Sequence, residues 1–305
     1  MAPTSVRLVA FDLDGTVFPN PLVEAVSDRL AADLAAAHDQ GVVTCIASGR
    51  PTWMMGDQLP HAPWMDWALS LNGSYIAPLP GSGHEGREGL ASPIPHDLAL
   101  ALLDEVVGLG GCASLHLREH SLIDEQRLAM FMADDKPLPI IPESPEQEAE
   151  LRAALRSHNP MDALIGSGLA KCVPSLRGAL EADPSLELMK ADMSLPSGKE
   201  VDEVVAWAAE VGGLEVARLG GGEIEVSRAR VSKGHAIGKL CRFLGIDEAC
   251  AVAFGDSGND LSMTGRATHF VAMANATPEI KAAANEVCAS VFDDGVAQWL
   301  EEHVL

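Results

Sequence analysis

Four stretches of the sequence hold side chains able to do chemistry together. Asp12-Leu13-Asp14-Gly15-Thr16 offers two carboxylates and a hydroxyl, and Ser48-Gly49-Arg50 a hydroxyl and a guanidinium. Lys233 offers an ammonium, and Asp256-Ser257-Gly258-Asn259-Asp260 two further carboxylates and an amide. Residues two apart on a strand share a face, so Asp12 and Asp14 point the same way. Carboxylates that close repel unless a proton or a cation stands between them. Hard oxygen donors of this kind suit Mg2+, which takes one to three protein oxygens and keeps its waters. A cation there would also draw in a phosphate group.

Three apolar runs must position these residues. Val6–Phe11 is almost unbroken until it meets Asp12, Val42–Ala47 runs into Ser48, and Ala251–Phe254 runs into Gly255-Asp256. Apolar runs without polar alternation read as strands buried on both faces, as in a parallel sheet. Open sheets of that kind bind ligands at the carboxyl ends of their strands. Between the first two runs, Asn20 is placed to cap a helix, with Pro21 in its first turn, a stripe at Leu22, Val26, Leu30 and Leu34, and Gly41 as the stop. That makes a right-handed βαβ unit. Residues 52–67 read as helical and then irregular, and their Trp and Met residues fit either a substrate-facing wall or, more commonly, core. Residues 68–71 form a third short strand before the turn pair Asn72-Gly73. From Pro78 to Gly89 the chain turns polar and rich in Pro and Gly, as a hinge or hairpin would.

The middle of the chain reads differently. Helices are expected over 97–109, 145–156 and 199–211, with strands in 112–125, 169–173, 186–192 and 223–227. That order fits an α+β module with a mostly antiparallel sheet. His116 and His120 fall in strand-like alternation, where scattered solvent histidines are expected rather than a ligand pair. Past residue 230 the doubly wound pattern returns, with a helix at 234–244, a short helix after Asp260, a strand at 269–272, a helix at 278–284, a strand at 286–291 and a helix at 295–303. The fold class is therefore α/β, a Rossmann-like doubly wound parallel sheet core with an inserted α+β cap domain. Residues 1–80 and 228–305 are assigned to the core and 81–227 to the insert.

Composition narrows the function. Lys and Arg number 21 against 44 Asp and Glu, a formal charge of −23 over 305 residues. Such a surface repels nucleic acid and anionic membranes, and any anion site must be locally positive. The six cysteines show no C-x-x-C spacing, which fits free thiols in a reducing compartment. No leader pattern and no apolar run of about 18 residues occurs, so a cytoplasmic location is expected.

The four stretches, in order, resemble the motifs of the haloacid dehalogenase superfamily. Phe11-Asp12-Leu13-Asp14-Gly15-Thr16, Ala47-Ser48-Gly49-Arg50, Ser232-Lys233-Gly234 and Gly255-Asp256-Ser257-Gly258-Asn259-Asp260 carry the resemblance. Val271–Ala276 and Asp293–Ala297 resemble its Cof-like subgroup. The resemblance implies a Mg2+-dependent phosphatase acting on a small phosphorylated metabolite, such as a sugar phosphate. Asp12 would be the nucleophile and Asp14 the general acid, then base. Ser48 and Lys233 would hold the phosphoryl oxygens. Asp256 would ligate the metal with the Asp12 carboxylate and the Asp14 carbonyl, and Asp260 would orient that shell. Thr16, Gly49, Arg50, Asn72 and Asn259 complete the expected phosphate and substrate surroundings. Thr16 is also read as fixing the Asp14 loop, Asn259 as orienting the metal shell and Lys233, and Arg50 equally as a surface ion pair. A phosphosugar mutase and a non-catalytic metabolite-binding protein are the alternatives. Oligomeric state is left open.

Overall fold

The run that ends at Asp12 forms β1 (Leu8–Phe11), every residue of it buried. It is the pivot of an eight-stranded sheet. On one side lie β2 (Val43–Ala47), β3 (Trp67–Ser70), β4 (Tyr75–Pro78) and β5 (Leu90–Ala91). On the other lie β12 (Ala251–Gly255), β13 (His269–Ala272) and β14 (Glu286–Val287). Strands β14 to β3 are mutually parallel, while β4 and β5 add antiparallel, with residues 79–89 joining them. Strand order reverses across β1 and β12, where an open sheet leaves a crevice for ligands. The computed structural model describes residues 5–19, 25–133, 145, 149, 160–265 and 269–305. The chain divides into two compact units, Met1–Ser92 with Arg230–Leu305, and Pro93–Ala229.

In the first unit, α1 (Asp28–Asp39) begins later than the apolar spacing predicts. Ser27 caps it by accepting the Leu30 amide at 3.1 Å, and the Val26 amide goes instead to the Gln58 side chain at 2.8 Å. Asn20, Pro21 and Leu22 lie outside the described residues. The expected helix after residue 52 is only a 3-10 turn, Thr52–Met54. Of the aromatic and Met cluster, Met55, Met65 and Trp67 are fully buried in the core. The strand expected over 286–291 is also shorter. It ends at Val287, and Val291–Asp293 form a 3-10 turn before α9 (Gly295–His303).

The second unit is built on a six-stranded, mostly antiparallel sheet ordered β10, β11, β9, β6, β7, β8. These are β6 (Cys112–Leu117), β7 (Ser121–Asp124), β8 (Ala170–Val173), β9 (Leu188–Ser194), β10 (Leu214–Gly220) and β11 (Glu223–Arg228). Two helices, α2 (His96–Gly108) and α6 (Gly198–Val211), pack their apolar sides with Ala113, Leu115, Ala191, Met193, Ile224 and Val226. The helix expected at 145–156 falls outside the described residues, save 145 and 149. His116 departs from the solvent position expected of it. It is 8% exposed because Asp192 and Ser121 bracket its ring at 2.8 Å each. All six cysteines are free. Among the described residues no helix is long and apolar enough to cross a membrane.

Candidate active site

Two strand ends and the turn after one of them place the acidic residues. Asp12 follows β1 directly, and its amide donates to the Phe254 carbonyl of β12 at 3.0 Å. Asp256 follows β12. Both therefore stand at the carboxyl edge of neighbouring parallel strands. A 3-10 turn, Gly258–Met263, then carries Asp260 back toward them. Ligand oxygens of Asp12, Asp256 and Asp260 all lie within 4.8 Å of one another.

Lys233 opens α7 (Lys233–Leu244), capped by Ser232. Its side chain is fully buried. The ammonium lies 2.7 Å from Asp12 Oδ1 and 2.7 Å from Asp260 Oδ1. Close packing sets this reach, because a Cβ on Gly234 would fall 1.8 Å from the Ser262 carbonyl oxygen. No larger residue would let the helix start lie against the 258–263 turn. The other oxygen of Asp260 accepts from the Asp256 and Ser257 amides at 2.9 and 3.0 Å. Asp260 is thus held on both sides, which suits a group that orients Lys233 and the Asp256 loop.

One ammonium faces three carboxylates here, and the charges do not balance. Burial raises the Asp12 pKa well above the ordinary carboxylate range, and the neighbouring Asp260 and Asp256 add to this against the pull of Lys233. Burial and Asp260 likewise push Asp256 up to about 7, opposed by the Thr16 hydrogen bond. For Lys233 burial acts to lower the pKa, but Asp12 and Asp260 outweigh it and hold the ammonium charged. A divalent cation among these oxygens would offset the excess negative charge, so the donor set fits Mg2+.

The remaining residues of the sequence reading take definite places. Thr16 is buried and its hydroxyl donates to Asp256 Oδ1 at 3.0 Å, so it braces that carboxylate. Gly15 sits at φ +79°, and a Cβ there would meet Asp256 Oδ2 at 2.4 Å. Only glycine lets this loop lie on that carboxylate. Arg50 does not lie free at the surface. Its guanidinium holds both oxygens of Asp14, at 2.8 and 2.7 Å, and donates to the Met54 carbonyl at 2.6 Å. Ser48 is buried at the end of β2, where its hydroxyl accepts the Arg50 amide at 3.2 Å. Gly49 lies in the bend between Ser48 and Arg50, half-buried. Asn259 Nδ2 donates to Asn72 Oδ1 at 3.3 Å, and Asn72 holds a left-handed conformation at φ 57°. The structure so brings Asp12, Asp256, Asp260, Lys233 and Thr16 into one contact network, and Asp14, on the Asp12 loop, pairs with Arg50 from the bend after β2. A residue that the sequence reading left without a role is Asn275, whose amide donates to the Gly15 carbonyl at 2.7 Å.

Residues 9–166 and 179–300 match the family model of haloacid dehalogenase-like hydrolases. The chain belongs to that family. It is 27% identical over 303 residues to the putative phosphatase YxeH of Bacillus subtilis, covering 98% of each chain. It is 24% identical to 5-amino-6-(5-phospho-D-ribitylamino)uracil phosphatase YitU of the same organism, again over 98% of each. Among solved structures, a haloacid dehalogenase-like hydrolase from B. subtilis superposes with a TM-score of 0.80 at 23% identity, covering 98% of this chain and 100% of the other.

Proposed function

We propose that this chain hydrolyses a small phosphomonoester of the sugar-phosphate kind, with Mg2+, through an aspartyl-phosphate on Asp12. It is a phosphoric monoester hydrolase, as its family and its named relatives indicate. The observation that carries the finer reading is the cluster of Asp12, Asp256 and Asp260 oxygens within 4.8 Å, with the Lys233 ammonium against two of them.

Asp12, Asp256 and the Asp14 carbonyl would hold the metal, which would neutralise phosphate charge and the mutual repulsion of the carboxylates. An Asp12 oxygen attacks phosphorus in line, the ester bond to the leaving oxygen breaks, and the phosphoryl group stays on Asp12. Asp14 gives the leaving oxygen its proton. It then takes one from the water that attacks the phosphorus of the aspartyl-phosphate and frees phosphate. Lys233 offsets charge on the nucleophile and on the transferring oxygens, and Ser48 donates to them. Asp260 keeps Lys233 aimed, and Thr16 keeps Asp256 aimed. The cap assignment for 81–227 belongs to the same reading, with the inserted unit supplying leaving-group specificity.

The test is phosphate release over a panel of sugar phosphates, nucleotides and cofactor phosphates, in Mg2+ and in EDTA. Release that needs Mg2+ and favours sugar-type phosphates supports the reading. Release undiminished by EDTA, or none with any ester, contradicts it.

A further inference from the structure

Two stretches of the sequence, Val271–Ala276 and Asp293–Ala297, have no task in the chemistry above. The structure joins them. The backbone of residues 273–277 is tied to the strand end that carries Asp256, since Met273 N–H donates to the Gly255 carbonyl at 3.1 Å and Thr277 N–H to the Asp256 carbonyl at 3.2 Å. Asn275 stands at the middle of that turn. Its Oδ1 accepts from the Val291 amide at 2.9 Å and the Ser290 hydroxyl at 3.3 Å. Its Nδ2 donates to the Gly15 carbonyl at 2.7 Å. The turn that receives Oδ1 is tight: a Cβ on Gly295 would fall 2.1 Å from the Ala289 carbonyl oxygen, and Asp294 takes φ 54°.

The nucleophile loop needs an outside tie. Inside it, the amides of Thr16, Val17 and Phe18 all converge on the Leu13 carbonyl, and the Gly15 amide goes to the Phe18 carbonyl. The Gly15 carbonyl faces out of this self-bonding, next to the one peptide that must lie against Asp256. We propose that Asn275 is a positioning residue for the Asp12–Phe18 loop. It bridges the turn at 289–295 to the Gly15 carbonyl and so fixes the Gly15–Thr16 peptide, and with it the Gly15 Cα that lies against Asp256. The inference rests on the phosphatase reading of the Asp12 site.

Asparagine serves because it has an acceptor for Val291 and Ser290 and a donor for Gly15 on one group. This separates two roles. Asn275→Asp keeps the acceptor and loses the donor, while Asn275→Ala loses both. For Asn275→Asp, kcat on an aryl phosphate is expected to fall about tenfold to a hundredfold, the usual cost of a small misplacement near the chemistry. KM should stay within about threefold, because ground-state binding is not touched. Its Tm should stay near that of the parent, and amide hydrogen exchange should quicken over residues 12–18 but not over 288–296. Asn275→Ala should lose kcat similarly, lower the Tm and quicken exchange in both segments.

Parent kcat in Asn275→Asp, or unchanged exchange over 12–18, overturns the proposal. So does an equal loss of Tm in both variants with exchange quickened over 288–296 alone, which would make the side chain a tie for the later turn only. An inactive parent would sink the phosphatase reading instead, and the exchange comparison would still decide whether Asn275 holds the loop.

Discussion

The guanidinium of Arg50 grips both carboxylate oxygens of Asp14, Nε to Oδ2 at 2.8 Å and Nη2 to Oδ1 at 2.7 Å. A two-point ion pair fixes a carboxylate in plane and direction, which a lysine cannot do. Arg50→Lys should therefore cost activity although charge is kept. The expected loss in kcat is about tenfold or more, from misplacement of Asp14, the proposed proton-transfer group. Steady-state kinetics of Arg50→Lys beside the parent check this, and an unchanged kcat would show that the pair is incidental.

Gly15→Ala tests the contact between the loop and Asp256. The new methyl would lie 2.4 Å from Asp256 Oδ2, with the backbone at φ +79°. An L-residue in that conformation costs about 1–2 kcal/mol before any clash is counted. The variant should fold with a lowered Tm and lose nearly all phosphate release, because either Asp256 or the Asp12 loop must move. Parent-like activity in Gly15→Ala would contradict the packing described.

Lys233→Met removes the one cation from a buried cluster. Asp12 and Asp260 then stand without the ammonium that meets each at 2.7 Å. Losing one partner of a buried ion pair costs about 3–5 kcal/mol. The urea midpoint in EDTA should drop accordingly, and activity should vanish. Unchanged stability would mean the cluster is neutral at rest.

The second unit should be sensitive to acid through Asp192. Burial acts to raise its pKa, but Lys190 at 3.0 Å and His116 at 2.8 Å outweigh that and hold it well below the usual range. A carboxyl lowered on folding adds stability above its unfolded pKa of about 3.9 and loses it as pH falls from there toward the folded value. Urea unfolding of the parent should thus weaken steadily from about pH 4 downward. Asn in place of Asp192 should flatten that decline while lowering stability at pH 7. An identical pH slope in Asp192→Asn would remove Asp192 from the account.

Much of this site was legible because buried parallel strands leave unbroken apolar runs, and the residue after each run stands at the ligand edge. Asp12, Ser48 and Asp256 can be placed that way from the sequence. Their partners cannot. Thr16 meets Asp256 across 240 residues and Asn259 meets Asn72 across 187, and no local pattern encodes such contacts. Edge elements also escaped. Strand β10 is interrupted by charge and lies at the sheet margin, where the apolar signal fades. Strand β14 stops after two residues, and the chain then turns at Ser290 and Val291, which meet Asn275. His116 misled because its alternation was read correctly as strand, while the buried ionic face formed by Lys190, Asp192 and Glu225 was invisible in sequence.

The central claim is that Asp12 attacks phosphorus, and one comparison tests it most directly. Phosphate release from an aryl phosphate is measured for the parent and for Asp12→Asn, both in Mg2+. The parent should turn over, and the variant should fall by at least about a thousandfold, since on the proposed mechanism the amide removes the nucleophile itself. Turnover by purified Asp12→Asn at the rate of the parent would contradict the mechanism outright.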